Sequence, residues 1–233
     1  MATYAGSQFT FYAIDLPYHG KTAWNEGLNF GTDDLLQIVE KILAASDAKH
    51  QNPKPVLLGF SLGGRMVLSL YEQMPERVKK LILLAPDGLK VNFWYWLATQ
   101  TWLGNQLFAF TMKYPGWFFA LLKLMNKLRL VNASIFKFVK YYIGDDKART
   151  VLYQRWTALR KIKPRIPSIK TNIIKYNTPT RLVYGQHDRI ILSSVGENFK
   201  KGIEDQCSIT LIHAGHQVLH EKHVQEILPA LLQ

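Results

Sequence analysis

Cysteine is nearly missing: Cys207 is the only one in 233 residues. A single thiol forms no internal disulfide and supplies no cysteine-based zinc site. A cytoplasmic location fits that usage. No apolar run reaches the roughly 20 residues of a membrane-spanning helix. The most hydrophobic stretch, residues 117–130, is broken by Lys123 and Lys127. The amino terminus shows no basic segment leading into an apolar core, and Asp15 interrupts the only early candidate, so no signal peptide is read. There is also no internal repeat and no low-complexity tract.

What is present describes a folded chain. Hydrophobic residues make up 48% and charged residues 20%, enough for one buried core and too little charge for disorder. The net charge is +12, and its distribution says more than its sum. Residues 87–178 hold 16 Lys+Arg against 3 Asp+Glu, whereas the rest holds 13 against 14. The same segment contains 18 of the 29 aromatic residues. So sharp a break in composition predicts a separate unit inserted into a neutral scaffold.

Hydrophobic patterning outlines the scaffold. Residues 9–16 (FTFYAIDL) read as a buried strand. An amphipathic helix runs from residue 32 to about residue 45, its first turn carrying Asp33 and Asp34 where the helix dipole favours acid. Residues 55–60 (PVLLGF) read as a second strand, 63–73 as a helix, 78–85 (VKKLILLA) as a third strand, 180–184 (TRLVY) as a fourth and 208–213 (SITLIH) as a fifth. Residues 218–232 read as a closing helix. Strands alternating with helices predict an α/β fold with a parallel sheet. The core is expected at 1–88 and 178–233, with a helical, basic and aromatic insertion at 89–177.

Gly59-Phe60-Ser61-Leu62-Gly63 follows a predicted strand and precedes a predicted helix. G-x-S-x-G in that setting marks a sharp turn that lifts a serine oxygen above a sheet. Gly59 and Gly63 are expected to be small because a Cβ would clash in so tight a turn. The Leu62 N–H then lies at a helix N-terminus, where it can stabilise an oxyanion. A serine hydroxyl needs a base, and the base needs an orienting carboxylate. Asp188, in the turn GQHD, and His216, in the turn AGH, each follow a predicted strand, where open α/β sheets place their sites.

These motifs, with the loop Asp15-Leu16-Pro17-Tyr18-His19-Gly20 and the elbow GFSLGG, resemble those of the α/β-hydrolase superfamily. The likeness covers residues 9 to about 88 and 178–233. It implies an α/β-hydrolase-type sheet, the triad Ser61, Asp188 and His216, and a cap formed by the insertion. It implies hydrolysis of a carboxylic ester or thioester through an acyl-enzyme, with no metal or organic cofactor. The same triad in that superfamily also serves C–C hydrolysis and lyase chemistry. The family normally begins with further strands, the last followed by a loop that supplies a second oxyanion N–H. This chain starts at about the next strand, so a non-catalytic scaffold is the competing expectation.

The remaining candidates have plainer readings. Asp87 follows the third predicted core strand and is the alternative acid. His187 and His213 read as structural or exposed, Asp15 as a loop residue, and Gly64 as a site of close packing. His216, His220 and His223 lack the order of a zinc-protease motif, so no metal site is predicted. The substrate is expected to be a small ester with an apolar part. The basic insertion adds a possible anionic surface as a partner, and without a binding motif it does not predict nucleic acid.

Overall fold

The computed structural model describes residues 2–47, 54–91, 93–128 and 143–232. In chain order its main elements are α1 (Thr32–Asp47), β1 (Val56–Phe60), α2 (Leu62–Gln73), β2 (Lys80–Leu84), α3 (Phe93–Gln100), α4 (Trp102–Lys113), α5 (Gly116–Lys127), α6 (Asp146–Ala158), α7 (Ile166–Lys175), β3 (Thr180–Gly185), α8 (Ser193–Lys200), β4 (Cys207–Ile212) and α9 (Val224–Leu232). The portion of the predicted insertion at 129–142 lies outside the described residues.

Contacts divide the chain into two compact units. The first comprises Met1–Ala13, Gly31–Lys90 and Ile162–Gln233; the second comprises Ile14–Phe30 and Val91–Lys161. Two segments fall differently from the division by composition. Helix α7, inside 89–177, belongs to the first unit, where it packs on α2 and buries Ile169 and Ile173. Residues 14–30 belong to the second unit. There the Phe30 N–H donates to Ala158 O (3.0 Å) and Arg155 Nε to Tyr18 O (2.8 Å). Charge and aromatic content do not report which segments pack together, so neither exchange was visible in them.

The first unit is built on a parallel sheet in the order β1-β2-β3-β4. Its central strands, KLILL and TRLVYG, are nearly continuous apolar runs. Every residue of β2 is buried, as in a sheet covered on both faces. Even Lys80 is buried, its Nζ donating to Leu231 O (3.0 Å) at the end of α9. The edge strand β4 alternates more, with Ser208, Thr210 and Leu211 exposed. The strands recur where their sequences predict them, within one or two residues.

The strand predicted at 9–16 is an exception. These residues run without helix or ladder pairing, and Phe11, Tyr12 and Ile14 are exposed. Aromatic and β-branched residues favour an extended backbone, but a strand exists only when a neighbour completes its hydrogen bonds. Among the described residues β1 pairs with β2 alone, so no ladder reaches 9–16.

In the second unit, residues 14–30 hold turns and no helix, whereas the described residues of 93–161 are mainly helical. Tyr95 packs edge-on against Trp156 (5.2 Å), and Phe108 lies against both Tyr153 and Trp156 (5.5 Å each). Arg149 of the same unit is buried, but its donors are satisfied: Nε by Met112 O (2.9 Å) and Nη1 by Ile143 O (2.8 Å), with Asp146 as ion-pair partner. A buried charge persists only with such partners. Thr101 Oγ1 caps α4 by accepting from Gly104 N (3.0 Å), and Asp145 caps α6 by accepting from Ala148 N (2.8 Å).

Gly64 sits where α2 touches the loop after β2. A Cβ built there falls 2.4 Å from Pro86 Cβ and 2.7 Å from Pro86 Cα. Gly64→Ala therefore destabilises the chain by about 1–3 kcal/mol, read from urea unfolding midpoints at constant m. A second expectation concerns Cys207, which is buried in the sheet; burial pushes its thiol pKa up to about 11. On the order of one thiol in a thousand is then ionised at pH 8. A disulfide reagent should react slowly with the native protein and rapidly once urea unfolds it. Fast native reaction would contradict the buried placement.

Candidate active site

The site grows from the carboxyl ends of three strands of the first unit. β1 ends at Phe60 and α2 begins at Leu62, so the whole reversal of direction falls on Ser61. Its backbone takes φ 49° and ψ −117°, a conformation L-residues seldom adopt. Three bonds hold it there. The Ser61 N–H donates to Leu84 O (3.0 Å), and Ser61 O accepts from Gly64 N (2.9 Å) and from Asp87 N (2.8 Å). Strain of this kind costs of order 1–3 kcal/mol and persists only where the surroundings dictate it.

The two elbow glycines are not equivalent. A Cβ on Gly59 would fall 2.4 Å from Gly63 O and 2.6 Å from Gly63 C, so β1 and the start of α2 touch through backbone alone. A Cβ on Gly63 would meet nothing within 4 Å. The expectation that both must be small is therefore corrected for Gly63. The space between the two positions is filled by the Gly63 carbonyl, while its Cα faces open room.

Asp188 and His216 are placed by two turns in contact. Gln186 N donates to Ile212 O (2.9 Å) and His187 N to Ala214 O (2.9 Å). Gly185 permits this approach: a Cβ there would lie 2.1 Å from Gly215 O. The Asp188 side chain is buried, and its Oδ1 accepts the N–H groups of Ile190 (2.7 Å) and Ile191 (3.0 Å). Its Oδ2 faces His216 Nδ1 at 2.8 Å, and His216 Nε2 lies 3.0 Å from Ser61 Oγ. A carboxylate that only accepts fixes the tautomer. Nδ1–H donates to Asp188, so Nε2 is left as a lone-pair acceptor for the serine proton. Phe60 lies along the imidazole at 5.4 Å between ring centroids.

Asp87, the alternative acid, is engaged elsewhere. Its Oδ2 pairs with Arg65 Nη2 (2.6 Å) and its Oδ1 accepts from Gly88 N (2.7 Å). Because the Asp87 N–H also holds Ser61 O, this ion pair ties β2's loop to the elbow. The spacing of Arg65 and Asp87 in the sequence gave no signal of that contact. Leu62 opens α2, so its N–H has no partner within the helix. His187 and His213 are exposed and form an edge-to-face pair at 4.7 Å. His220 is exposed, whereas His223 is buried with Nδ1 on Glu226 Oε1 (2.9 Å). Asp15 belongs to the second unit, where its carbonyl accepts from Thr22 Oγ1 (2.6 Å). A cavity of about 350 Å³ lined by Asp146, Lys147, Thr150 and Val151 lies in the second unit and includes none of the site residues.

Known proteins share this architecture. A family model described as the alpha/beta hydrolase fold matches residues 2–223. The chain is 23% identical over 227 residues to the uncharacterized hydrolase YugF of Bacillus subtilis, covering 92% of this chain and 76% of that protein. It is 21% identical over 225 residues to the pimeloyl-[acyl-carrier protein] methyl ester esterase of Nitrosomonas europaea, covering 90% and 79%. Among solved structures, a carboxylesterase structure from Nitrososphaera gargenis superposes with a TM-score of 0.57 at 14% identity, covering 93% of this chain and 77% of that one. A meta-cleavage product hydrolase from Pseudomonas fluorescens superposes with a TM-score of 0.54 at 17% identity, covering 92% and 75%. At such identities the two structures show a common fold.

The glycine geometry gives a paired expectation. Gly59→Ala forces a Cβ onto the Gly63 carbonyl and displaces the elbow, at a cost of about 1–3 kcal/mol and with Ser61 out of line with His216. Gly63→Ala adds a methyl to open space and leaves the unfolding midpoint within about 0.5 kcal/mol of the parent. Urea titration of the two variants separates them, and equal losses would contradict the described turn.

Proposed function

The chain belongs to the alpha/beta hydrolase fold family, and on that premise we propose that it is a serine hydrolase of carboxylic esters or thioesters. The observation that carries this reading is the continuous hydrogen-bonded line from Asp188 Oδ2 through His216 to Ser61 Oγ, with links of 2.8 and 3.0 Å. Esterase relatives support the same choice of bond.

The chemistry follows from the geometry. As Ser61 Oγ attacks the acyl carbon, its proton passes to His216 Nε2. The imidazolium so formed is stabilised by the Asp188 carboxylate, which accepts from Nδ1–H. The carbonyl oxygen gains the negative charge, and the Leu62 N–H at the head of α2 is the donor the elbow offers to it. Collapse of the adduct breaks the bond to the alcohol or thiol, which leaves with the proton held on Nε2. Water then attacks the acyl-serine, His216 takes its proton, and release of the acid restores Ser61. A serine nucleophile yields an ester intermediate that water can open at the acyl carbon, which is why the substrate is read as an acyl compound.

The test is steady-state hydrolysis of a panel of soluble p-nitrophenyl esters of increasing acyl length. Ser61→Ala is expected to reduce turnover to background. Asp188→Asn should lower kcat on the order of 10⁴-fold, because the amide donates to Nδ1 and leaves the wrong tautomer facing Ser61. Asp87→Asn, by contrast, should act mainly through stability, lowering kcat by less than about tenfold at temperatures where the fold is intact. Turnover that survives Ser61→Ala would contradict the assignment. A folded wild-type chain inert on the whole panel would favour the non-catalytic scaffold.

A further inference from the structure

Aromatic residues of the second unit divide into two sets. Tyr95, Phe108 and Trp156 pack on one another, as above. A second set turns outward. In α4 and its cap residue, Leu103, Leu107, Phe110 and Tyr114 follow the spacing i, i+4, i+7, i+11 and are each between 51% and 71% exposed. In α5 and its cap residue, Trp117, Leu121, Leu124 and Leu128 repeat the same spacing at 39–58% exposed. The side of α4 away from its stripe carries buried Asn105 and Met112, with buried Thr111 at the stripe's edge, and Leu122 is buried in α5. An apolar stripe at this period ordinarily faces a core. Here two consecutive helices present one outward, and Trp94 and Trp102 are exposed alongside at 71% and 78%.

The charges name the occupant. Residues 88–144 contain seven Lys+Arg and no Asp or Glu. Lys113, Lys123 and Lys127 on α4 and α5 are exposed, and Lys113 Nζ lies 5.3 Å from the Tyr114 ring centroid. Apolar side chains with flanking lysines, tryptophans and tyrosine, and no acid, match the interfacial layer of a bilayer bearing negative headgroups. Long lysine stems lie along the apolar zone while their ammonium groups reach the headgroups. The single sign of charge over 88–144 favours an anionic surface, and nucleic acid would not require the apolar stripes. Each helix has 12 residues, and no described helix is long and apolar enough to cross a membrane.

We propose that the outward stripes of α4 and α5 form a docking surface for an anionic lipid bilayer, on which these helices lie flat. The inference does not depend on the chemistry of Ser61.

The experiment is co-sedimentation of the full chain with vesicles of phosphatidylcholine alone or mixed with phosphatidylglycerol, with tryptophan emission as a second readout. Binding to the mixed vesicles with a blue shift is expected. It should weaken at least about tenfold between about 0.1 M and about 1 M salt, as the screening length falls from about 10 to about 3 Å. Leu107→Asp with Leu121→Asp should reduce binding at least about tenfold with the thermal midpoint unchanged. The triple change of Lys113, Lys123 and Lys127 to Gln should lower it roughly 100-fold, about fivefold for each lysine. Hydrolysis of a soluble ester is measured in parallel and should be the same in these variants; its absence from the parent chain bears on Ser61 alone. No binding to mixed vesicles, equal binding to both vesicle types, or insensitivity to the aspartate pair overturns the proposal. So does a stable dimer that the aspartate pair dissociates and that does not bind vesicles.

Discussion

Ser61 can hold a positive φ because its backbone is bonded on both sides: its N–H to Leu84 O in the neighbouring strand, and its carbonyl to the N–H groups of Gly64 and Asp87. The rest of the site depends on this constraint. Were Ser61 to relax into the helix that follows, its Oγ would leave His216 and the Leu62 N–H would lose its place at the free end of α2. The surroundings are shaped around the turn. Gly59 lets β1 meet the Gly63 carbonyl, Gly64 lets α2 meet Pro86, and Arg65 anchors Asp87 while the Asp87 N–H grips Ser61. The strain is offset by contacts from two strands and a helix, so it is stable only in the folded unit.

The other two members are held with comparable rigidity by different means. Asp188 is fixed by two N–H donors on one oxygen, which leaves the other free for His216. Its loop is bonded to the His216 loop across β3 and β4, so the two side chains are registered to each other independently of Ser61. Preorganisation of this sort lowers the cost of orienting groups when a substrate arrives. Asp87, the alternative carboxylate, is paired with Arg65 instead.

Much of this was legible from residue types and order. The central strands announced themselves as apolar runs, and G-x-S-x-G between a strand and a helix located the elbow. Asp188 and His216 were singled out because each follows a strand at the same end of a parallel sheet, and the structure places them within hydrogen-bond distance of each other. Other features were out of reach because they depend on partners distant in the chain. The segment 9–16 has strand chemistry, but pairing decides a strand, and no neighbour reaches it. Gly59 and Gly63 look alike in the motif, yet only one meets backbone. The attachment of residues 14–30 to the second unit includes hydrogen bonds to Ala158 and from Arg155 that no periodicity encodes. The outward direction of the α4 and α5 stripes reverses the inward reading that spacing alone favours.

The central claim is that Ser61 is an activated nucleophile. The most direct measurement is labelling of the purified chain with a fluorophosphonate, with the modified residue located by peptide mass spectrometry. Such a probe phosphonylates an activated serine without requiring knowledge of the natural substrate. The account predicts a single adduct on Ser61, formed rapidly by the native chain and abolished by unfolding or by His216→Ala. An unlabelled chain that is demonstrably folded, or an adduct on another residue, would contradict it.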